Sequence, residues 1–227
     1  MNVLWGMTGA GHLLAESADT IRKAAKKHKI TVVFSGAGYE VARMYGLLQK
    51  IEDCTQETIK EEAQGWSHPL VGRVALKEYD AVIISPCTAN SAAKIVCGIA
   101  DSLVTNIVAQ AVKSKTAVYV VPTDLQKKQE TTLPIVIDKR SCRNCRTCPP
   151  KKNCPQKAIY RDEQIRVNML KCNACRKCIA ACPYGAISFG KSGTIHLREI
   201  DLKNTRQLSK MEGITVLPHP DEIKLTY

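Results

Sequence analysis

Eight of the eleven cysteines in this sequence fall in one stretch, and their spacing is that of iron–sulfur ligands. Cys142, Cys145, Cys148 and Cys154 read C-x2-C-x2-C-x5-C and are followed by Pro155. Cys172, Cys175, Cys178 and Cys182 read C-x2-C-x2-C-x3-C and are followed by Pro183. The second run is a 4Fe-4S spacing, and the first is the same with two more residues before its fourth cysteine. Three thiolates so spaced reach three corners of a cube from one tight turn, and a distant fourth closes it. Where two such runs stand back to back, the fourth cysteine of each ligates the other run's cluster. The expected ligand sets are Cys142, Cys145, Cys148, Cys182 and Cys172, Cys175, Cys178, Cys154. Zinc favours cysteine pairs with a longer gap between them, which these triplets lack. A disulfide framework needs a secreted context, and the opening Met1-Asn2-Val3-Leu4-Trp5-Gly6 has no signal-peptide pattern.

Cys54, Cys87 and Cys97 lie elsewhere and read as small apolar side chains. Cys87 has no basic sequence neighbour to lower its pKa, which argues against a redox thiol. Bound cysteines in such number fit a reducing, cytoplasmic setting. The 227 residues are 44% hydrophobic, enough for a sizeable core, with no apolar run of membrane-spanning length. The net charge of +12 is uneven: twelve Lys and Arg, against Asp162 and Glu163, lie from Lys139 to Lys177. Such a patch suggests nucleic acid when aromatics accompany it, but only 5% of this chain is aromatic. The charge is better suited to offsetting anionic clusters, or to steering an acidic ferredoxin-like donor or a carboxylate-bearing substrate. Neither a nucleic acid nor a membrane is expected as a partner.

The elements that must position this chemistry alternate between strand and helix. Asn2–Met7 opens on Thr8-Gly9-Ala10-Gly11-His12, and helical periodicity follows over 13–28. Ile30–Ser35 opens on Gly36-Ala37-Gly38 and a helix over 39–50, and the polar stretch 53–67 reads as surface helix and loop. A third strand, Asp80–Ser85, opens on Pro86-Cys87-Thr88-Ala89-Asn90, and a fourth, Thr116–Val121, ends at Pro122-Thr123-Asp124. This alternation predicts an α/β fold with a parallel sheet covered on both faces. Strand, glycine-bearing turn and helix can hold a phosphate on the free N–H groups of the helix start. Taken alone, Thr8–Gly11 is more simply a tight turn, since it is neither a GxGxxG fingerprint nor a Walker A loop. A helix over Asp201–Met211 and a strand over Ile214–Leu217 return to α/β character. The cysteine module therefore reads as an insertion, 135–195, in a domain built from 1–134 and 196–227. Its apolar flanks, Ile135–Ile137 and Thr194–Leu197, are expected to pair as a neck.

Pro86-Cys87-Thr88-Ala89-Asn90-Ser91-Ala92-Ala93-Lys94-Ile95, with Gly98-Ile99-Ala100-Asp101, resembles motifs of the homo-oligomeric flavin-containing cysteine decarboxylase family. The resemblance covers 1–125 and 199–227 and implies a Rossmann-like flavoprotein sheet, trimer-based assembly and FMN near a subunit interface. Carried over, the FMN contacts are Thr8, Gly9, Ala10, Ser35, Thr88, Ala89 and Asn90. Decarboxylases of the family carry a catalytic histidine where this chain has Gly72, with His68 displaced by four positions. Their PAMN-type motif is replaced by Pro122-Thr123-Asp124-Leu125. These departures argue against decarboxylation and leave no catalytic side chain assigned.

A flavin domain with an inserted bacterial-type two-cluster ferredoxin domain resembles the archaeal dihydromethanopterin reductase (acceptor) family. That resemblance implies electron flow from a low-potential donor through two 4Fe-4S clusters to FMN, reducing dihydromethanopterin to tetrahydromethanopterin. The residues themselves leave open another small-molecule acceptor, an electron-transfer flavoprotein without its own substrate, or an iron–sulfur nucleic-acid protein.

Overall fold

The computed structural model describes residues 1–225. Five parallel strands come first: β1 (Asn2–Met7), β2 (Lys29–Phe34), β3 (Glu57–Lys60), β4 (Ala81–Cys87) and β5 (Ala117–Pro122). A sixth, β12 (Ile214–Val216), arrives after the cysteine-rich segment and pairs with β5. The order β12-β5-β4-β1-β2-β3 is doubly wound, and the direction of winding reverses between β1 and β4. Helices α1 (Leu14–Ala24), α2 (Gly36–Met44) and α3 (Leu48–Glu52) cover one face of the sheet. The other face carries α4 (Leu70–Ala75), α5 (Ala89–Val96), α6 (Leu103–Lys113) and α9 (Glu199–Leu208). Alternate side chains of one strand therefore enter different layers: Val3, Trp5 and Met7 pack with α1, while Leu4 packs with α6. Both faces are dry, which is why these strands read as continuous apolar runs.

The stretch 53–67, expected as helix and loop, contains the edge strand β3, paired in parallel with β2. Its sequence Glu57-Thr58-Ile59-Lys60 is polar because only Ile59 is buried. The single helix expected over 39–50 is two, broken at Tyr45–Leu47, where Gly46 has a φ of 70°.

The neck of the cysteine module also differs from expectation. Ribbon β6 (Lys128–Leu133) pairs antiparallel with β11 (Lys191–His196), so Thr194 faces Glu130 instead of the Ile135–Ile137 flank. That flank, β7 (Val136–Ile137), pairs with β10 (Ile187–Ser188) deeper in the module. The apolar flank belongs in the module's own core, and a polar two-sided ribbon is what solvent exposure selects for the neck. Within the module lie α7 (Pro149–Lys152), the hairpin β8 (Ile159–Arg161) and β9 (Ile165–Val167), and α8 (Lys177–Ala181).

Candidate functional site

The eight thiols stand in two groups of four. One small cavity is lined by Cys142, Cys145, Cys148 and Cys182, with Ile137, Ile165 and Ile187 behind them. A second is lined by Cys172, Cys175, Cys178 and Cys154, with Ile135, Ile159 and Val167. Each run's fourth cysteine thus lies with the first three of the other run. Positive φ at Asn144, Ala174 and Arg176 curls three of the four x2 loops around their cavities. Burial, and then the neighbouring Cys172, Cys175 and Cys154, push the Cys178 thiol up to about 11. Four soft sulfur donors around an apolar pocket are a donor set for an iron–sulfur cluster, so these residues fit that group. Arg43 on α2 acts electrostatically on Cys172, and its buried Nε has no partner among the described residues.

At the other end of the chemistry, the loops after β1, β2 and β4 converge at the carboxyl ends of adjacent strands, beside the reversal in winding. Thr8 is buried, and its hydroxyl donates to Pro86 O (2.8 Å) and accepts from Thr88 N (2.8 Å). It therefore ties the first loop to the third. Gly9 meets the start of α2, where a Cβ on it would lie 2.6 Å from Ala37 Cβ. Ser35 caps α2 by accepting from Gly38 N at 3.0 Å, and Thr88 caps α5 by accepting from Ser91 N at 3.3 Å. The N–H groups of Gly9, Ala37 and Ala89 have no partner among the described residues. Two helix starts and a glycine loop with free donors, Ser35 and Ala10 half-buried beside them and Asn90 exposed, fit a phosphate-bearing cofactor.

Two features escaped the sequence. The Glu61 carboxylate accepts from Gly36 N (3.0 Å) and Leu103 N (2.6 Å), joining the starts of α2 and α6. No local pattern marks it, because its partners lie 25 and 42 residues away. The second is a cavity of about 810 Å³ between the sheet and the neck, lined by His12, Glu16, Thr123, Lys128, Glu130 and His219 among others. His12 lies in the turn after β1 and Thr123 follows β5, so this space adjoins the loops described above. Cys87 is fully buried, and burial, aided by Asp124, raises its thiol to about 12, which leaves it protonated. His68 is buried with its Nδ1 3.4 Å from Asn106 Nδ2, while a side chain at Gly72 would meet open space.

Comparison with known proteins adds to this geometry. Residues 1–131 match the Flavoprotein family model, and residues 134–183 match the 4Fe-4S dicluster domain. A dihydromethanopterin reductase (acceptor) of Methanosarcina mazei is 41% identical, over 97% of this chain and 96% of that protein. One from Methanocaldococcus jannaschii is 42% identical, over 98% of this chain and 94% of that protein. Among solved structures, the FMN complex of Burkholderia xenovorans DmrB, a cubic protein cage for redox transfer, aligns with a TM-score of 0.63. At 22% identity over 97% of this chain and 89% of that one, the likeness is one of fold.

Proposed function

Because the chain belongs to the dihydromethanopterin reductase (acceptor) family of iron–sulfur flavoproteins, we propose that it reduces dihydromethanopterin to tetrahydromethanopterin with electrons from a low-potential donor. The observation that carries this reading is the pairing, in one chain, of two four-thiol cavities with a three-loop phosphate site. When bound, two 4Fe-4S clusters supply one-electron transfer and FMN supplies its conversion to a two-electron, hydride-level reduction. Cys142, Cys145, Cys148 and Cys182 hold one cluster, and Cys154, Cys172, Cys175 and Cys178 the other. The Gly9 and Ala37 N–H groups and the Ser35 hydroxyl bind the flavin phosphate. Thr8 fixes the loop carrying Gly9 and Ala10, while Thr88, Ala89 and Asn90 orient the flavin. The 810 Å³ cavity receives the pterin, and its size favours a reductase over a pure electron carrier. The cysteine module, 135–195, is an insertion in the flavoprotein domain, 1–134 and 196–227. That division is supported by β12 rejoining the sheet beyond it.

An acidic ferredoxin-like donor docks where Arg143, Lys151 and Lys152 are exposed. The protein is a cytoplasmic homo-oligomer assembled from trimers; among the described residues no helix is long and apolar enough to cross a membrane.

The reading is tested on anaerobically purified protein, by metal, sulfide and flavin analysis and by turnover with dihydromethanopterin. About eight irons and one FMN per chain, with turnover, are expected. Zinc in place of iron, or a fully loaded protein that leaves the pterin untouched, would refute it. Ser35→Asp sets a like charge against the phosphate and is expected to weaken FMN at least about tenfold, with iron content unchanged.

A further inference from the structure

The two thiol sets are not placed alike relative to the flavoprotein domain. Ala174, between Cys172 and Cys175, packs on Gly46, where a Cβ would stand 3.1 Å from Ala174 Cβ. Arg176, in the same turn, lies over the Phe189 ring at 4.0 Å from its centroid. Phe189 belongs to the module's core, and its ring meets Tyr45 edge-on at 6.4 Å between centroids. Tyr45 packs on the flavoprotein core, and its hydroxyl donates to Thr132 O of the neck at 2.6 Å. Tyr45 also lies against Gly11 of the first loop, where a Cβ would fall 2.2 Å from its hydroxyl oxygen. Packed matter therefore runs from the Cys172–Arg176 turn to the proposed flavin loop. Helix α2 makes the same connection: Ser35 caps its start, and Tyr45 and Gly46 follow its end, about 14 Å away at 1.5 Å per residue.

The other set has no such link. Both cavities are lined by module residues alone, but among the described residues nothing in this set's turns packs on the flavoprotein domain as Ala174 does on Gly46, and Tyr184 beside it is 52% exposed. Among the described residues, 142–150 and 182–185 make no hydrogen bond, ion pair or ring contact with the flavoprotein domain. Arg143, Arg146, Lys151 and Lys152 are exposed around it.

Resting on the function proposed above, we infer that the Cys154/Cys172/Cys175/Cys178 centre is the inner one, passing electrons to the flavin across Phe189 and Tyr45. The Cys142/Cys145/Cys148/Cys182 centre is the outer one and receives them. Electron transfer weakens steeply with distance and travels better through packed atoms than through water, and only the inner set has a packed route. Each centre carries one electron. Two passes, fed by a one-electron iron–sulfur donor protein, supply the pair for two-electron reduction of the flavin, with protons drawn from water. Tyr45 and Phe189 are positioning residues in this scheme: they are neither oxidised nor reduced overall.

The test uses the holoprotein, with iron and FMN content measured first. A photochemical one-electron reductant fills the clusters, and bleaching of the flavin is followed in a single turnover. Cys145→Ala, which removes or converts the outer centre as read by its EPR signal, is expected to keep intramolecular flavin bleaching near the wild-type rate while losing reduction by the donor protein. Cys175→Ala, which removes or converts the inner centre, is expected to lose both. Tyr45→Leu is expected to slow bleaching at least about tenfold with both cluster EPR signals intact, and Tyr45→Phe, which keeps the ring, to restore it. Should either cysteine variant fail to fold, the Tyr45 pair decides. Bleaching that survives Cys175→Ala but not Cys145→Ala, or that is untouched by Tyr45→Leu, overturns the order. Wild-type protein lacking clusters or flavin overturns the functional reading beneath it instead.

Discussion

Trp5, Phe34, Leu4, Met7 and Ile83 lie fully buried on the two faces of the sheet, Leu4 in a cluster of twenty buried side chains and the others in one of twelve. In the cysteine module the core has seven buried side chains, two of them Cys172 and Cys178, with Cys142, Cys148, Cys154 and Cys182 packed at its margin. The sheet domain is held by transfer of large apolar side chains from water, worth roughly 25 cal/mol per Å². A core of seven small and medium side chains is too slight for that, so the module depends on the bonds its thiols make. Function follows the same division. The sheet holds its ligand with loop backbone on a rigid frame, whereas the module's ligands are themselves part of its core.

Stripping the iron anaerobically with a chelator gives the largest effect and tests this contrast directly. The module is expected to open, since ligation free energy in small metal domains is of order 10 kcal/mol, while the sheet domain persists. Limited proteolysis should then cut between about Lys139 and Gly185 and spare residues 1–125. Continued protection of the module would show that its apolar core suffices alone. Gly38→Ala probes the other side: a Cβ there would lie 2.3 Å from the Met7 carbonyl oxygen, a backbone atom that cannot step aside. It is expected to cost about 1–3 kcal/mol and to loosen FMN, with the cluster spectrum unchanged. Circular dichroism melts against cluster absorbance separate the two domains, and parallel loss of both signals would mean they unfold as one.

The smallest effect is electrostatic, and its sign differs between the regions. Burial raises the pKa of half-buried Asp124 at the end of β5, with Asp201 adding to it, against the hydroxyl bond from Thr123. A raised carboxyl pKa stabilises the fold below the unfolded value, and that contribution is lost as pH rises through the folded one. Asp124→Asn keeps the acceptor for Thr123 and should stabilise the sheet at neutral pH by less than about 1 kcal/mol after screening. Asp138 behaves oppositely: the Arg140 N–H and the Ser141 hydroxyl hold its carboxyl below the ordinary range. Its contribution is present at neutral pH and lost on acidification, so Asp138→Asn should flatten the acid limb of the module's melting profile alone.

Much of both regions was legible beforehand because their signals are local. Val3–Met7, Ile30–Phe34 and Ala81–Ser85 are buried on both faces, and a strand so placed must be apolar throughout. Ser35 and Thr88 cap their helices, and the side-chain oxygen of a cap has to stand at the helix start in sequence as well. Edge strand β3 was missed because one buried residue in four leaves no periodicity to read. The β6–β11 neck was missed because a ribbon exposed on both faces carries no apolar pattern.

The sequence by itself determined the donor chemistry and the order of the buried strands. Three thiols two residues apart can bend around one cluster only as a tight loop, and a proline after the fourth forbids helix. Tertiary structure alone decided which loops meet. Glu61 joining the starts of α2 and α6, Tyr45 bonded to Thr132, and Ala174 seated on Gly46 are contacts between residues far apart in the chain. Each depends on the packing of whole elements, and short-range spacing carries no information about a partner that only the folded chain brings near.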